Sequence, residues 1–176
     1  MAIKATIFKA DLQIADMDRN YYADHTLTLA KQPSETDERM MVRLLAFVLH
    51  ASEQLSLGKG LCLDDEPDLW RRDLTGAIEL WIDVGLPDEK WTRKACGRAE
   101  QVVVVSYGSR AADIWWEQNR AKLGKLANLA VLIWHRKRPG VWLPWRGGPC
   151  ACNVRYKMAR SGSPMARTAS AFNPFI

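Results

Sequence analysis

The stretch from Ala77 to Ser106 restricts the fold more than any other part of the chain. Ile78, Leu80, Ile82 and Val84 alternate with Glu79, Trp81 and Asp83, the period-two pattern of a strand with two distinct faces. Gly85-Leu86-Pro87-Asp88 breaks that pattern, and Asp88 can cap a helix over Glu89–Ala99. The β-branched run Gln101–Ser106 then reads as a buried strand. A third helix over Ser109–Leu123 and a strand beginning at Ala127–Val131 continue the alternation. Strands interleaved with helices imply an α/β domain built on a mixed sheet flanked by helices.

Upstream, Lys4–Ile14 and Tyr21–Ala30 alternate around Asp16-Met17-Asp18-Arg19-Asn20, which predicts an N-terminal β-hairpin. Pro33-Ser34-Glu35-Thr36-Asp37 has the features of a helix start, with Ser34 as the cap. Met41, Leu44, Leu45, Val48 and Leu49 form a core-facing stripe, so the helix is expected to run to about Ser52. Leu55–Asp65, containing Gly58 and Gly60, reads as a short strand with a turn, and the acidic loop Asp64–Asp68 enters Leu69-Trp70. These elements predict a single α/β domain over residues 1–131.

Hydrophobic residues make up 48% of the 176, which excludes a disordered chain. The longest apolar runs, Val102–Val105 and Leu129–Trp134, fall far short of a membrane span. Met1–Ile14 has no signal-peptide core, so a cytoplasmic protein with free thiols and no membrane partner is expected. The formal charge of +5 suggests nucleic acid, but its placement does not. Residues 132–176 hold eight basic groups and no acid, leaving 17 basic and 20 acidic groups, a net of −3, in residues 1–131.

Hydrolase and zinc chemistry find little support. Ser106-Tyr107-Gly108-Ser109 lacks nucleophile-elbow spacing, there are only three histidines, and Cys150-Ala151-Cys152 has no partner pair. The carboxylates are more informative. Glu79 and Asp83 share a strand face with Trp81, Asp64–Asp68 lies upstream, and Asp88 opens a helix carrying Lys90 and Lys94. Carboxylates converging from a strand and a turn make a hard oxygen site for Mg²⁺ or Mn²⁺, beside which a lysine can orient water. The competing reading puts Glu79 and Asp83 on a solvated strand face and the lysines in solvent. Arg39, Arg43 and Arg110 are candidate phosphate contacts, or else ion pairs with Glu35, Glu38 or Asp113. Trp115 and Trp116 either stack bases or fill core.

Several ordered motifs are similar to those of the YaeQ family. They are Ser34-Glu35-Thr36-Asp37-Glu38-Arg39-Met40-Met41, Arg43-Leu44-Leu45-Ala46, Gly60-Leu61-Cys62, Asp64-Asp65-Glu66-Pro67, Leu80-Trp81-Ile82, Gly85-Leu86-Pro87-Asp88, Lys94-Ala95-Cys96 and Ser109-Arg110-Ala111-Ala112 with Ile114-Trp115-Trp116. The resemblance covers residues 1 to about 131. It implies a divergent PD-(D/E)XK nuclease-like core of a helix, a three-stranded meander, a helix and a strand. It further implies an acid on the first helix, Glu38 or Glu35, of which Glu38 aligns with Met41 and Leu45 and is expected to point inward. The loop acid would be Asp65, Glu66 or Asp68, where Pro67-Asp68 repeats the motif's own letters, and the third-strand acid would be Asp83. Asp83-Val84-Gly85 has glycine where the motif lysine belongs, so Lys94 of the next helix is the candidate replacement.

Two functions follow. The first is a Mg²⁺- or Mn²⁺-dependent phosphodiesterase on nucleic acid. Glu38, Asp83 and Lys94 would be catalytic, Asp65, Glu66, Asp68 and Asp83 would be metal ligands, and Arg39, Arg43 and Arg110 would contact nucleic acid. The second is a non-catalytic binding module on the same fold, for a protein, small-molecule or nucleic-acid partner.

The resemblance stops near Val131, where the basic segment begins. Joining the last base of each codon to the first two of the next turns Gly148–Gly162 into a period-two apolar pattern around an Asp-Gly turn. Met158-Ala159 and Met165-Ala166 fix two of the glycines in that frame. A frameshift near Val131–Trp134 is therefore expected, and with it a poorly structured segment over residues 132–176.

Overall fold

The structure, a computed structural model, describes residues 5–17, 19–58, 66–134, 152–160 and 166–172, the last two stretches as backbone only. The chain divides into two compact units, residues 1–40 with 146–176, and residues 41–145.

In the first unit, β1 (Thr6–Asp16) and β2 (Tyr21–Lys31) form the expected hairpin, with Leu12 opposite His25 and Ile14 opposite Ala23. Alternation decides which side is buried: Ala10, Leu12, Ile14 and Leu29 are enclosed, while Lys9, Asp11 and Gln13 are exposed. Buried Asp16 closes the turn, accepting from Arg19 Nε at 2.5 Å and from Arg19 backbone N at 3.1 Å. Within the basic segment, where the sequence predicts no regular structure, β8 (Cys152–Arg160) pairs antiparallel with β1, and β9 (Ala166–Phe172) pairs with β8. The sheet order is β2-β1-β8-β9.

Helix α1 (Asp37–Leu49) leads from the first unit into the second. Its cap is Thr36 rather than Ser34: Thr36 Oγ1 accepts from Arg39 N at 3.2 Å. The second unit continues with β3 (Leu55–Leu57), β4 (Leu69–Arg72), β5 (Ile78–Val84), α2 (Glu89–Cys96), β6 (Ala99–Tyr107), α3 (Arg110–Leu123) and β7 (Leu129–Trp134). Its sheet runs β3-β4-β5-β6-β7. The first three strands are an antiparallel meander, and β5, β6 and β7 are mutually parallel, joined by the α2 and α3 crossovers. The result is a mixed α/β sheet with helices against it and an N-terminal antiparallel hairpin. From α1 onward the chain runs helix, meander, helix, strand, helix and strand.

Val102–Val105 of β6 sit at the centre, each at most 2% exposed, and each contributes roughly 1.5–3 kcal/mol by leaving water. Register places Trp81 beside Val102 and Leu129, and Asp83 beside Val104 and Val131. Helix α2 covers the first row through Ala95 and Trp91, and α3 covers Val104, Leu129 and Val131 through Trp115, Trp116 and Leu123. The face that carries Asp83 is thus packed interior where helices lie on it, not a solvated surface. No helix among the described residues is long and apolar enough to cross a membrane.

Candidate functional site

Asp83 is the best-defined acid of the second unit. It is 6% exposed, and a single oxygen, Oδ2, accepts from Trp81 Nε1 at 3.0 Å and from Trp91 Nε1 at 2.9 Å. Trp81 reaches it along the same strand face, two residues away. Trp91 reaches it from the first turns of α2, whose start is fixed by Asp88 accepting from Lys90 N at 2.8 Å. The two indoles meet edge to face, with centroids 5.8 Å apart. Cys96, at the end of α2, packs on the same cluster, and burial first, then the Asp83 charge, push its thiol above the usual range.

Asp68 lies just before β4 and is likewise buried. Its Oδ2 accepts from Val84 N at 2.8 Å, which secures the last residue of β5, and its Oδ1 lies 3.4 Å from Arg43 Nε of α1. Gly58 makes this approach possible. Its N–H donates to Asp68 O at 2.8 Å, and a Cβ there would sit 1.9 Å from Pro67 O.

Glu38, expected to point inward, is exposed in the first turn of α1. The inward acid is Glu35, 4% exposed, which accepts from Arg39 Nη1 at 3.0 Å. Helix phase explains the correction: α1 begins at Asp37, so Glu35 precedes the helix and turns back against Arg39. Arg43 is 1% exposed and faces Asp68, so it is interior rather than a nucleic-acid contact. Arg110 is exposed at the start of α3. Lys94 is exposed, with Nζ 5.7 Å from the Trp91 centroid. Glu79 leaves the Trp81/Asp83 set because a bulge at Arg71/Arg72 shifts the register, and Glu79 Oε2 accepts from Arg71 Nε at 2.7 Å. Glu66 is half-buried, and Asp65 lies outside the described residues. Among the described residues, no three His, Cys, Asp or Glu side chains are grouped so as to hold a metal ion.

Sequence reasoning missed Trp91 as the partner of Asp83. The available signal was that Trp91 and Ala95, four residues apart, are the apolar stripe of an otherwise charged helix. It also missed Arg72, whose Cζ lies 3.6 Å from the Trp70 ring centroid. Trp115 is core, 9% exposed, with its Nε1 donating to Pro87 O at 2.9 Å.

Both the sequence and the fold have counterparts among known proteins. The YaeQ protein family profile matches residues 1–138. The chain belongs to the YaeQ family. The uncharacterized protein YaeQ of Escherichia coli (strain K12) is 54% identical over 131 residues, covering 74% of this chain and 72% of that relative. Its Salmonella typhi counterpart is 52% identical over the same length. Among solved structures, the YaeQ protein from Xanthomonas axonopodis pv. citri is 57% identical, with a TM-score of 0.71 over 74% of this chain and 73% of that one. The YaeQ protein from Pseudomonas syringae is 33% identical, with a TM-score of 0.63 over 70% and 71%.

Proposed function

We propose that this YaeQ family member is a non-catalytic binding module on a nuclease-like α/β scaffold. The observation that carries the reading is the double indole donation to Asp83 Oδ2. A carboxylate that holds Mg²⁺ directs its lone pairs at the ion, and two N–H groups on one oxygen compete for that role. Asp68 is similarly committed, to Val84 N and Arg43. A guanidinium 3.4 Å from a carboxylate repels a divalent cation and supplies the opposing charge in its place. Glu38 is exposed in the first turn of α1, and Lys94 is exposed on α2. The residues present therefore do not fit a hard-cation centre. The net charge of −3 over residues 1–131 also argues against broad electrostatic attachment to DNA or RNA.

Calorimetric titration of the protein with Mg²⁺ and Mn²⁺, repeated on Asp83→Asn, tests this reading. Neither metal is expected to give a saturable heat that depends on Asp83. A metal isotherm abolished by Asp83→Asn, or metal-dependent cleavage of single- or double-stranded nucleic acid lost in that variant, overturns the proposal.

A further inference from the structure

The binding-module reading leaves open where a ligand sits, and the indoles around Asp83 point to a place. Trp70 of β4 is directly opposite Trp81 of β5 in the sheet register, so both project from the same face. Trp81 in turn meets Trp91 of α2. The three line up in an aromatic row from β4 to α2, in which Trp81 and Trp91 make ring contact and Trp70 shares their face. Its buried middle member, Trp81, is 1% exposed, and its inner end is pinned by Asp83. Trp70, the outer member, is only half-buried.

Arg72 lies over Trp70, with Cζ 3.6 Å from the ring centroid, a separation that requires the guanidinium to rest on the indole face. Arg72 is exposed, and among the described residues it makes no ion pair. Its neighbour Arg71 is neutralised by Glu79 at 2.7 Å. Strand β3 pairs with β4 only as far as Arg71, so the short neighbour strand stops before Arg72. A guanidinium held flat in this way keeps its N–H edge directed outward for two parallel hydrogen bonds to a phosphate. Its outer face accepts a second flat group, extending the stack that Trp70 begins.

We infer that Trp70 and Arg72 form a nucleotide site, in which Arg72 takes the phosphate and the base stacks along the guanidinium–indole pair. The occupant is a mononucleotide rather than a polynucleotide. One guanidinium suits one phosphate, and a net charge of −3 over residues 1–131 gives little attraction for a long polyanion. The inference rests on the binding-module reading, since it needs no metal and no role for Asp83 beyond holding the indoles.

The test is titration of the full chain with adenosine monophosphate, read by tryptophan fluorescence and by indole Nε1–H NMR shifts, with no divalent metal present. A saturable change centred on the Trp70 resonance is expected. It should be weaker for adenosine alone and for inorganic phosphate alone. Arg72→Ala should weaken binding by about tenfold, and Arg72→Lys, which keeps the charge but not the flat fork, should weaken it by less. Unchanged circular dichroism of the Arg72 variants shows that the fold is intact. No saturable change with folded protein at millimolar nucleotide overturns the inference, as does affinity unaffected by Arg72→Ala. Tighter binding to a single-stranded oligonucleotide with a steep salt dependence also overturns it, in favour of a polynucleotide surface. The two readings fail separately. Nucleotide binding that requires Mg²⁺ and disappears in Asp83→Asn overturns the binding-module reading, whereas silence toward nucleotide with no metal isotherm overturns only the nucleotide site.

Discussion

Replacing Asp83 by alanine tests whether this carboxylate serves structure or catalysis. The substitution removes the acceptor for two indole N–H groups, at 3.0 and 2.9 Å, in a place where Asp83 is 6% and Trp81 1% exposed. A buried donor left without its acceptor costs about 1–3 kcal/mol, and hydrogen bonds to a charged acceptor lie toward the top of that range. The outer indole, Trp91, is only partly buried and recovers some water. The expected loss is therefore about 2–5 kcal/mol, which for a chain of this length lowers Tm by roughly 4–20 °C. Asp83→Asn keeps an acceptor oxygen and loses only the charge, so it should cost about 1–2 kcal/mol. Urea denaturation followed by tryptophan fluorescence measures both, and Trp91→Phe shows how much of the loss passes through α2. A catalytic acid held against its own preference behaves oppositely, because removing it relieves strain. Stability unchanged or raised in Asp83→Ala would refute the argument that this carboxylate is the bolt between β5 and α2.

Further outcomes follow from the same geometry. Gly58→Ala places a methyl against Pro67 O, where the Cβ separation would be 1.9 Å, and should destabilise by about 1–3 kcal/mol in thermal unfolding by displacing the segment that ends in Asp68. The side-chain hydrogen bond from Lys122, then that from Arg93, hold Glu89 below its ordinary carboxyl value of 4.5. That contribution is present above the ordinary value and lost as pH falls through the depressed one, so Lys122→Met should flatten the acid limb of the Tm–pH curve below pH 4.5. Burial and the nearby Asp83 charge raise the Cys96 thiol above 9.0, so iodoacetamide should label it more slowly than a free cysteine at neutral pH, and Asp83→Asn should speed the labelling seen by peptide mapping. The frame reading of the basic segment predicts that resequencing the coding DNA recovers a one- or two-base change near codons 131–134; an uninterrupted template for the same tail in related genes refutes it.

The secondary structure was legible where period and punctuation agreed. The alternation of Ile78 to Val84 and the Gly85-Leu86-Pro87-Asp88 break place β5 and the start of α2 within a residue. The sequence pattern extends α2 to Ala99 rather than Cys96, because Ala99 fits either state and in fact opens β6. Ser34 suits a cap by its type, while Thr36, two residues on, makes the bond. The site was less legible, since a period-two pattern tells which residues share a face but not what covers that face. Glu79, Trp81 and Asp83 look like a half-polar solvent surface until α2 is laid across them, after which the same acid is an interior acceptor. The bulge that sends Glu79 to Arg71 left no mark on the alternation at all.

The position of β6, bonded on one side to β5 and on the other to β7, has a consequence for how the molecule opens. The amides of Val102 to Val105 cannot be released by fraying from an edge, because strands guard both flanks and side chains seal both faces. Their exchange with deuterium should proceed only when the second unit comes apart as a whole, and their protection factors then read out its global stability.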